Sequence, residues 1–217
     1  MKRLFALFSL LLMLAPTAHA QDGGDRAVDD VRGAIEFVQN LSSETIAVWS
    51  DSKLSASERY TAFRAIFEDA TDIELLAQGM LGLHYRTITK EQRETYMKAM
   101  GDYIIAEFDK RMAQIGFKSL EVSGTKPASG KQGHLYVRTE VTRDEGQPIL
   151  ADWRVRKKDG KFQIVNLEFE GINLLITNRD LFSSKIKRDG FDGLIAWLRA
   201  QNTMPGAQGS TAAEASR

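Results

Sequence analysis

Residues that could catalyse a reaction are few and scattered in this 217-residue sequence. It contains no cysteine, which excludes disulfides, thiolate metal sites and a cysteine nucleophile. Beyond the first twenty residues the histidines are His84 and His134, which are far apart in sequence and lack any H-E-x-x-H or similar ligand spacing. There is no G-x-S-x-G nucleophile motif. The sequence therefore predicts no metal, no cofactor and no enzyme activity. A pair of catalytic carboxylates stays open, although scattered surface carboxylates are the ordinary explanation for so many acidic residues.

The two ends of the chain have compositions that exclude them from the folded domain. Lys2 and Arg3, an apolar run and an A-x-A site at Ala18–Ala20 are typical of a signal peptide. We therefore predict cleavage after Ala20 and a secreted or periplasmic protein. No later segment approaches the roughly 18 apolar residues of a membrane span. Residues 202–217 are small and polar, which indicates a disordered tail. A single domain is predicted over residues 21–201.

Charged residues do not point to nucleic acid as a partner. The sequence has 29 basic and 29 acidic residues, and no base-stacking motif accompanies the basic ones. Two local basic clusters stand out, namely Arg154, Arg156, Lys157 and Lys158, and Lys185, Lys187 and Arg188. Solvated surfaces are the simplest interpretation of both. The alternative is a rim that meets anionic headgroups or an acidic partner surface.

A methionine and aromatic stripe is the remaining candidate for binding chemistry. Met80, Met97, Met100 and Met112 are spread over two central helical segments, together with several aromatic residues. Such a stripe usually belongs to a closed core. Because methionine adapts its shape, the same stripe would also suit a pocket for flexible chains. Composition alone does not distinguish a filled core from a cavity.

The first half of the chain is predicted to be helical, with capping motifs at three helix starts. Apolar residues recur at helical spacing from Asp25 to about Asp51. Capping boxes are predicted at Ser55–Glu58, Thr71–Glu74 and Thr89–Gln92, the last opening a long helix to about Ile115 with Gly116 as its stop.

Period-two alternation replaces the helical pattern after that helix. Strands are predicted at Ser119–Ser123 and His134–Thr142, and on both sides of an Asp159-Gly160 hairpin turn. That turn pairs Lys158 with Lys161, Val155 with Ile164 and Trp153 with Asn166. Beyond Ile164 the apolar side chains of the alternating pattern fall on the opposite face of the strand. This change predicts a strand that is central in the sheet or contains a bulge. A short helix, Phe191–Leu198, closes the pattern. Helices followed by sequentially adjacent strands predict an α+β fold, with N-terminal helices on a C-terminal twisted antiparallel sheet.

Two stretches together resemble one protein family. The first runs from Leu81-Gly-Leu-His-Tyr-Arg86 through Thr89-Lys-Glu-Gln-Arg93 to Met97-Lys-Ala-Met100. The second runs from Val155-Arg-Lys-Lys-Asp-Gly-Lys-Phe162 through Asn178-Arg-Asp-Leu-Phe182 to Lys187-Arg-Asp-Gly-Phe-Asp-Gly-Leu194. In order and spacing they are similar to the periplasmic phospholipid-binding proteins of the Mla system, the MlaC or toluene-tolerance family. The family often has Trp at the positions of Tyr85 and Phe162, and Phe and Tyr at those of Met100 and Phe108. Each difference keeps bulk but changes the shape of the pocket, which bears on the identity of the cargo.

The resemblance implies a lipid carrier with a deep apolar cavity between the sheet and the helices. Such a carrier would shuttle phospholipid between an outer-membrane lipoprotein–porin complex and an inner-membrane ABC transporter, as a monomer. A hopanoid is the alternative cargo. From the predicted facing of the elements we expect the wall to comprise Met80, Leu83, Met100, Ile104 and Phe108 from helices and Trp153, Val155, Phe162 and Ile164 from the sheet.

Two other functions compete with the carrier. One is an exported enzyme on a similar cone-shaped α+β fold, with a carboxylate or His84 as the base and a strongly shifted pKa at the pocket floor. The other is an interaction module whose apolar residues all belong to a filled core.

Overall fold

The computed structural model describes residues 21–115, 117–128, 133–143 and 145–202. The predicted signal peptide, the predicted helix stop at Gly116 and residues 203–217 of the predicted tail lie outside these ranges. Among the described helices, none is long and apolar enough to cross a membrane.

Four helices and one short 3-10 helix form the first half of the chain. They are α1 (Gln21–Ser50), α2 (Ala56–Ala70), α3 (Ile73–Leu81), the 3-10 helix (Gly82–Arg86) and α4 (Lys90–Ile115). The capping box at Ser55 and Glu58 is present, as is the reciprocal pair of Thr89 and Gln92. At α3 the predicted cap at Thr71 is wrong. Asp72 caps that helix, because its carboxylate accepts the amide of Leu75 at 2.9 Å.

A five-stranded antiparallel sheet follows, with its strands in sequence order. The strands are β1 (Phe117–Pro127), β2 (His134–Arg143), β3 (Ile149–Lys158), β4 (Lys161–Phe169) and the short β5 (Ile172–Asn173). Strand β1 is longer than predicted and β5 was not predicted, since two residues are too short to show alternation. The predicted α+β arrangement of helices on an antiparallel sheet is confirmed.

The β3–β4 hairpin explains the change in apolar phase seen in the sequence. Asp159 and Gly160 both have positive φ, as a type I′ turn requires. Lys158 pairs with Lys161 and Val155 with Ile164, as predicted. A bulge then places Val165 outside the register, so that Trp153 pairs with Leu167. The predicted pairing of Trp153 with Asn166 is therefore wrong.

The last helix, α5 (Leu174–Gln201), is interrupted at Gly190. There φ is 71° and ψ is 179°, a conformation that is essentially restricted to glycine. The segment after the break carries the buried residues Leu194, Ile195 and Leu198, which join a core shared with α2, α3 and α4. A second core lies between α1 and the inner face of the sheet and includes Ala34, Val38, Val137 and Trp153, among others.

Candidate functional site

An aromatic cluster lies where the two cores meet. The rings of Phe63 and Phe108 are stacked with centroids 5.3 Å apart. Phe67 is 5.4 Å from Phe108, and Trp153 of the sheet is 6.5 Å from it. Phe108 of α4 thus connects the helical core to the sheet core.

Two apolar cavities lie on either side of this aromatic cluster. The larger cavity, of about 80 Å³, is enclosed by α2, α3, α4, β3, β4 and the start of α5. The smaller cavity, of about 30 Å³, lies beneath α1. Both are lined by Phe67, Phe108, Trp153 and Ile164, which therefore form the partition between them. The remaining apolar lining is Leu76, Met80, Ile104, Leu167 and Leu174 in the larger cavity and Val38, Leu41, Phe63, Leu120, Val141 and Phe169 in the smaller.

Polar groups are part of the larger cavity's wall. The Tyr103 hydroxyl donates to Asn178 Oδ1 at 2.9 Å, which joins α4 to α5. One helical turn beyond Tyr103, Glu107 and Arg111 form an ion pair with a 4.0 Å separation. Burial raises the pKa of the Tyr103 phenol, so it stays a neutral hydrogen-bonding group. The larger cavity therefore combines a mainly apolar lining with hydrogen-bonding and charged groups.

Five of the nine predicted wall residues line a cavity. Met80 and Ile104 line the larger one, and Phe108, Trp153 and Ile164 line both. That these side chains bind lipid stays a prediction.

The other four predicted wall residues line neither of these two cavities, and their part in lipid binding stays a prediction. Helix α3 ends at Leu81, and Gly82 turns the chain with a positive φ, so Leu83 is 79 % exposed. Met100 is fully buried in the helical core, one turn before the part of α4 that reaches the larger cavity. Val155 and Phe162 are covered by α1, where the Phe162 ring stacks on Phe37 with centroids 6.2 Å apart.

Several lining residues were missed by the sequence reasoning. Phe67, Leu76 and Tyr103 belong to helical stripes that were recognised, but the stripes did not indicate which members border a gap. Val38 and Leu41 were missed because no residue of α1 was included in the predicted wall. Their helical spacing was the available signal.

The basic residues of the hairpin are mostly paired with acids of the helices. Lys157 contacts Asp30 at 2.7 Å, Arg156 pairs with Asp72, and Lys161 pairs with Asp69. These three ion pairs attach the hairpin to α1, α2 and the start of α3. Arg154 lies over the ring of Tyr136 on β2, with its guanidinium carbon 5.8 Å from the ring centroid.

Within the described ranges, no group of three or more His, Cys, Asp or Glu residues could hold a metal ion. His84, considered above as a catalytic base, lies in the 3-10 helix and lines neither cavity.

Comparison with known proteins places this geometry in a family. The model of the MlaC protein family matches residues 39–200. The chain belongs to the MlaC family. The match includes α2 to α4, the sheet and nearly all of α5, so every residue of the partition between the cavities is within it. The resemblance found in the sequence motifs is confirmed.

Two curated relatives of this MlaC-family chain carry informative names. The intermembrane phospholipid transport system binding protein MlaC of Haemophilus influenzae is 21 % identical over 161 residues, which cover 72 % of this chain and 75 % of the relative. The toluene tolerance protein ttg2D of Pseudomonas putida is 22 % identical over 190 residues, covering 87 % of this chain and 82 % of the relative.

A solved structure shares the fold. The phospholipid-binding protein of Ralstonia solanacearum, solved in complex with a phospholipid, matches with a TM-score of 0.56 at 22 % identity. The match covers 85 % of this chain and 97 % of that protein. At this identity the likeness shows that the two proteins share a fold.

Proposed function

We propose that this protein is a periplasmic phospholipid carrier that holds acyl tails in the two apolar cavities. The main support is the pair of cavities enclosed between sheet and helices, separated by four apolar side chains that both share. The MlaC-family relatives named for phospholipid binding and transport support the same cargo. They are named as binding, transport or tolerance proteins, which agrees with a protein that catalyses no reaction.

The energetic need for such cavities follows from the cargo. Transfer into water of two acyl tails of roughly 15 methylenes each costs on the order of 20 kcal/mol of free energy, at about 0.8 kcal/mol per methylene. A carrier must offset most of this cost with dry, apolar surface. The linings of both cavities, dominated by Leu, Ile, Phe, Met and Trp side chains, supply that surface.

Loading requires the cavities to expand. About 80 Å³ accommodates roughly five to eight water molecules at roughly 10–15 Å³ of such space each, far less than two acyl tails occupy. Two tails fit only if the walls separate and the partition moves. Displacement of partition side chains such as Phe67 and Phe108, which lie in the wall of each cavity, would join the two cavities into one.

The polar part of the larger cavity's wall suggests how a lipid is oriented. Tyr103, Glu107 and Arg111 provide hydroxyl, carboxylate and guanidinium groups, and Asn166 and Asn178 provide amides, beside a lining that is otherwise apolar. We place the glycerol ester region of the lipid against these groups, with the tails extending past Phe108 towards α1.

The route of the cargo is the finer part of the proposal. We propose transfer between an outer-membrane lipoprotein–porin complex and an inner-membrane ABC transporter, by a monomer. The name of the H. influenzae relative, which describes an intermembrane transport system, supports such a route. The pattern of residues 1–20, with its A-x-A site, supports export to the periplasm and cleavage after Ala20.

The decisive experiment is to purify the mature protein from the periplasm without detergent and to identify what it carries. Solvent extraction followed by lipid mass spectrometry names the cargo, and native mass spectrometry counts it. We expect about one phospholipid per chain. A hopanoid in its place would change the cargo but keep the carrier. A folded protein that is empty and also fails to take up added lipid would contradict the proposal.

A matched pair of variants tests whether the larger cavity is the binding site. Ile104 lines that cavity, whereas its neighbour Ile105 is fully buried in the helical core and lines neither cavity. Ile104→Phe fills the cavity, so we expect lipid per folded chain to fall severalfold. Ile105→Phe overpacks a closed core and lowers stability by about 1–3 kcal/mol, without lowering the lipid content of the folded fraction. Equal lipid content in both variants would place the tails elsewhere.

A further inference from the structure

The charged part of the larger cavity's wall lies on one face of α4. Tyr103, Glu107 and Arg111 follow one another at intervals of four residues, and all three line the cavity. Exposure increases along this row, because Tyr103 is 5 % exposed, whereas the side chains of Glu107 and Arg111 are 26 % and 44 % exposed. The wall thus passes from the interior to solvent, and the cavity opens beside Glu107 and Arg111.

The neutral and the charged polar groups of this wall differ in how firmly they are held. The Tyr103 hydroxyl donates to Asn178 Oδ1 at 2.9 Å, and Asn178 Nδ2 donates to the Leu174 carbonyl at 2.8 Å. By contrast, the 4.0 Å between Arg111 Nη2 and Glu107 Oε2 is longer than a hydrogen bond. A loose, partly exposed ion pair of this kind contributes little to stability. Glu107 and Arg111 can therefore exchange each other for charged groups of a ligand at small cost.

The charges at the mouth restrict which headgroup fits there. Of the described residues that line the larger cavity, only Glu107 and Arg111 carry a charge, and their charges are opposite. A headgroup with a phosphate alone would pair with Arg111 but would place its negative charge beside Glu107, and like charges in contact disfavour binding. A headgroup that carries both a phosphate and an ammonium group offers a partner to each residue.

We propose that the larger cavity selects phospholipids whose zwitterionic headgroup contains a primary ammonium group. The phosphate pairs with Arg111, because a guanidinium matches phosphate oxygens with paired hydrogen bonds, and the ammonium donates to Glu107. Two ion pairs thus replace one, and no charge at the mouth is left without a partner. The ester region of the lipid then lies deeper, beside Tyr103 and Asn178. This inference rests on the proposed carrier function and adds the class of headgroup to it.

Competition between two lipids with identical tails measures this selection. The mature protein, freed of bound lipid, is incubated with vesicles that contain equal amounts of dioleoyl phosphatidylethanolamine and dioleoyl phosphatidylglycerol. After separation from the vesicles, mass spectrometry counts both lipids per chain. We expect about three- to tenfold more phosphatidylethanolamine than phosphatidylglycerol, the effect of roughly one hydrogen bond at a partly exposed site. The total lipid tests the carrier function, whereas the ratio of the two lipids tests the selection.

Three variants of α4 assign the selection to the charges at the mouth. Glu107→Gln leaves Arg111 as the sole charge there, so phosphatidylglycerol should become the preferred lipid. Arg111→Gln leaves Glu107, so the ratio of phosphatidylethanolamine to phosphatidylglycerol should rise while the total lipid falls. Glu94→Gln is the matched control, because Glu94 pairs with Lys90 at the same helical spacing and at 3.9 Å but lines neither cavity. In this control the ratio should equal that of the wild-type protein.

The two levels of the proposal fail in different ways. About one lipid per chain, taken up in the ratio present in the vesicles, would overturn the selection but leave the carrier. Equal changes of the ratio in Glu107→Gln and Glu94→Gln would also overturn it, since they would reflect the overall charge of the protein. Absence of both lipids from the folded wild-type protein would contradict the carrier function and the selection together. Circular dichroism melting establishes that each variant is folded.

Discussion

Trp153 donates its indole N–H to the hydroxyl of Thr139 at 2.9 Å, across the β2–β3 pair. The same hydroxyl donates to the Ala151 carbonyl at 3.1 Å, so the indole N–H of Trp153 and the hydroxyl of Thr139 both have hydrogen-bond partners. The link holds the largest side chain of the partition with its polar edge on the sheet and its ring between the two cavities.

Replacing Thr139 therefore tests what holds the partition. Thr139→Val keeps the shape but leaves the Trp153 N–H without an acceptor in a buried site. We expect a loss of about 1–3 kcal/mol in the free energy of unfolding, measured by urea denaturation. Thr142→Val on the exposed face of the same strand is the control, with a change within about 0.5 kcal/mol. Equal effects at both positions would mean that the indole bond contributes nothing.

Two tyrosines of α4 make buried hydrogen bonds to different helices, which allows a matched comparison. Tyr103 bonds Asn178 at the start of α5, whereas Tyr96 bonds the Ala77 carbonyl of α3 at 2.8 Å. Tyr103→Phe and Tyr96→Phe should each lower the free energy of unfolding by about 1 kcal/mol. Only Tyr103→Phe should speed amide hydrogen exchange over residues 174–178, as followed by mass spectrometry. Faster exchange there in Tyr96→Phe would show that the α5 start is not held by Tyr103.

The sheet's outer face carries an acid whose charge stabilises the fold. Asp152 accepts two hydrogen bonds from Arg138, at 2.8 and 2.7 Å, and one from Lys126 at 3.1 Å. Arg138 and then Lys126 hold the pKa of Asp152 below its usual range, against the opposing effect of burial. Because the folded pKa is depressed, the stabilisation is present at neutral pH. It is lost as the pH falls through the folded pKa.

Asp152→Asn should accordingly be less stable than the wild-type protein at pH 7. The two proteins should converge as the pH falls below the ordinary carboxyl range, near 4. Urea denaturation at several pH values measures this, with Glu140→Gln at an exposed position of β2 as the control. A stability difference that is constant from pH 7 to pH 2.5 would show that the effect of Asn is not electrostatic.

Two glycines should respond to alanine with opposite signs. A Cβ at Gly101, inside α4, would meet no atom within 4 Å, so Gly101→Ala should raise the free energy of unfolding by up to about 1 kcal/mol. Gly190 breaks α5 with a φ of 71°, where a Cβ is strained, so Gly190→Ala should cost about 1–3 kcal/mol. Thermal unfolding measures both, and a stabilising Gly190→Ala would show that the break in α5 is not required.

Local signals in the sequence determined most of the secondary structure. The Asp159-Gly160 turn and the caps at Ser55 and Thr89 depend on residues within four positions of each other. The residues that form them can therefore be recognised from the sequence alone. The same holds for the alternation of β2 and for the phase change that proved to be the bulge at Val165. The motifs of the MlaC family are likewise sequence properties.

Only the tertiary structure decided which apolar residues border a cavity. Ile104 and Ile105 are chemically identical neighbours, yet one lines the larger cavity and the other is closed within the helical core. Met100 and Val155 have the same apolar character as true lining residues but are covered by other elements. A cavity is a gap between elements distant in sequence, so its lining depends on how α1, α5 and the sheet pack. Periodicity within one element carries no information about that packing.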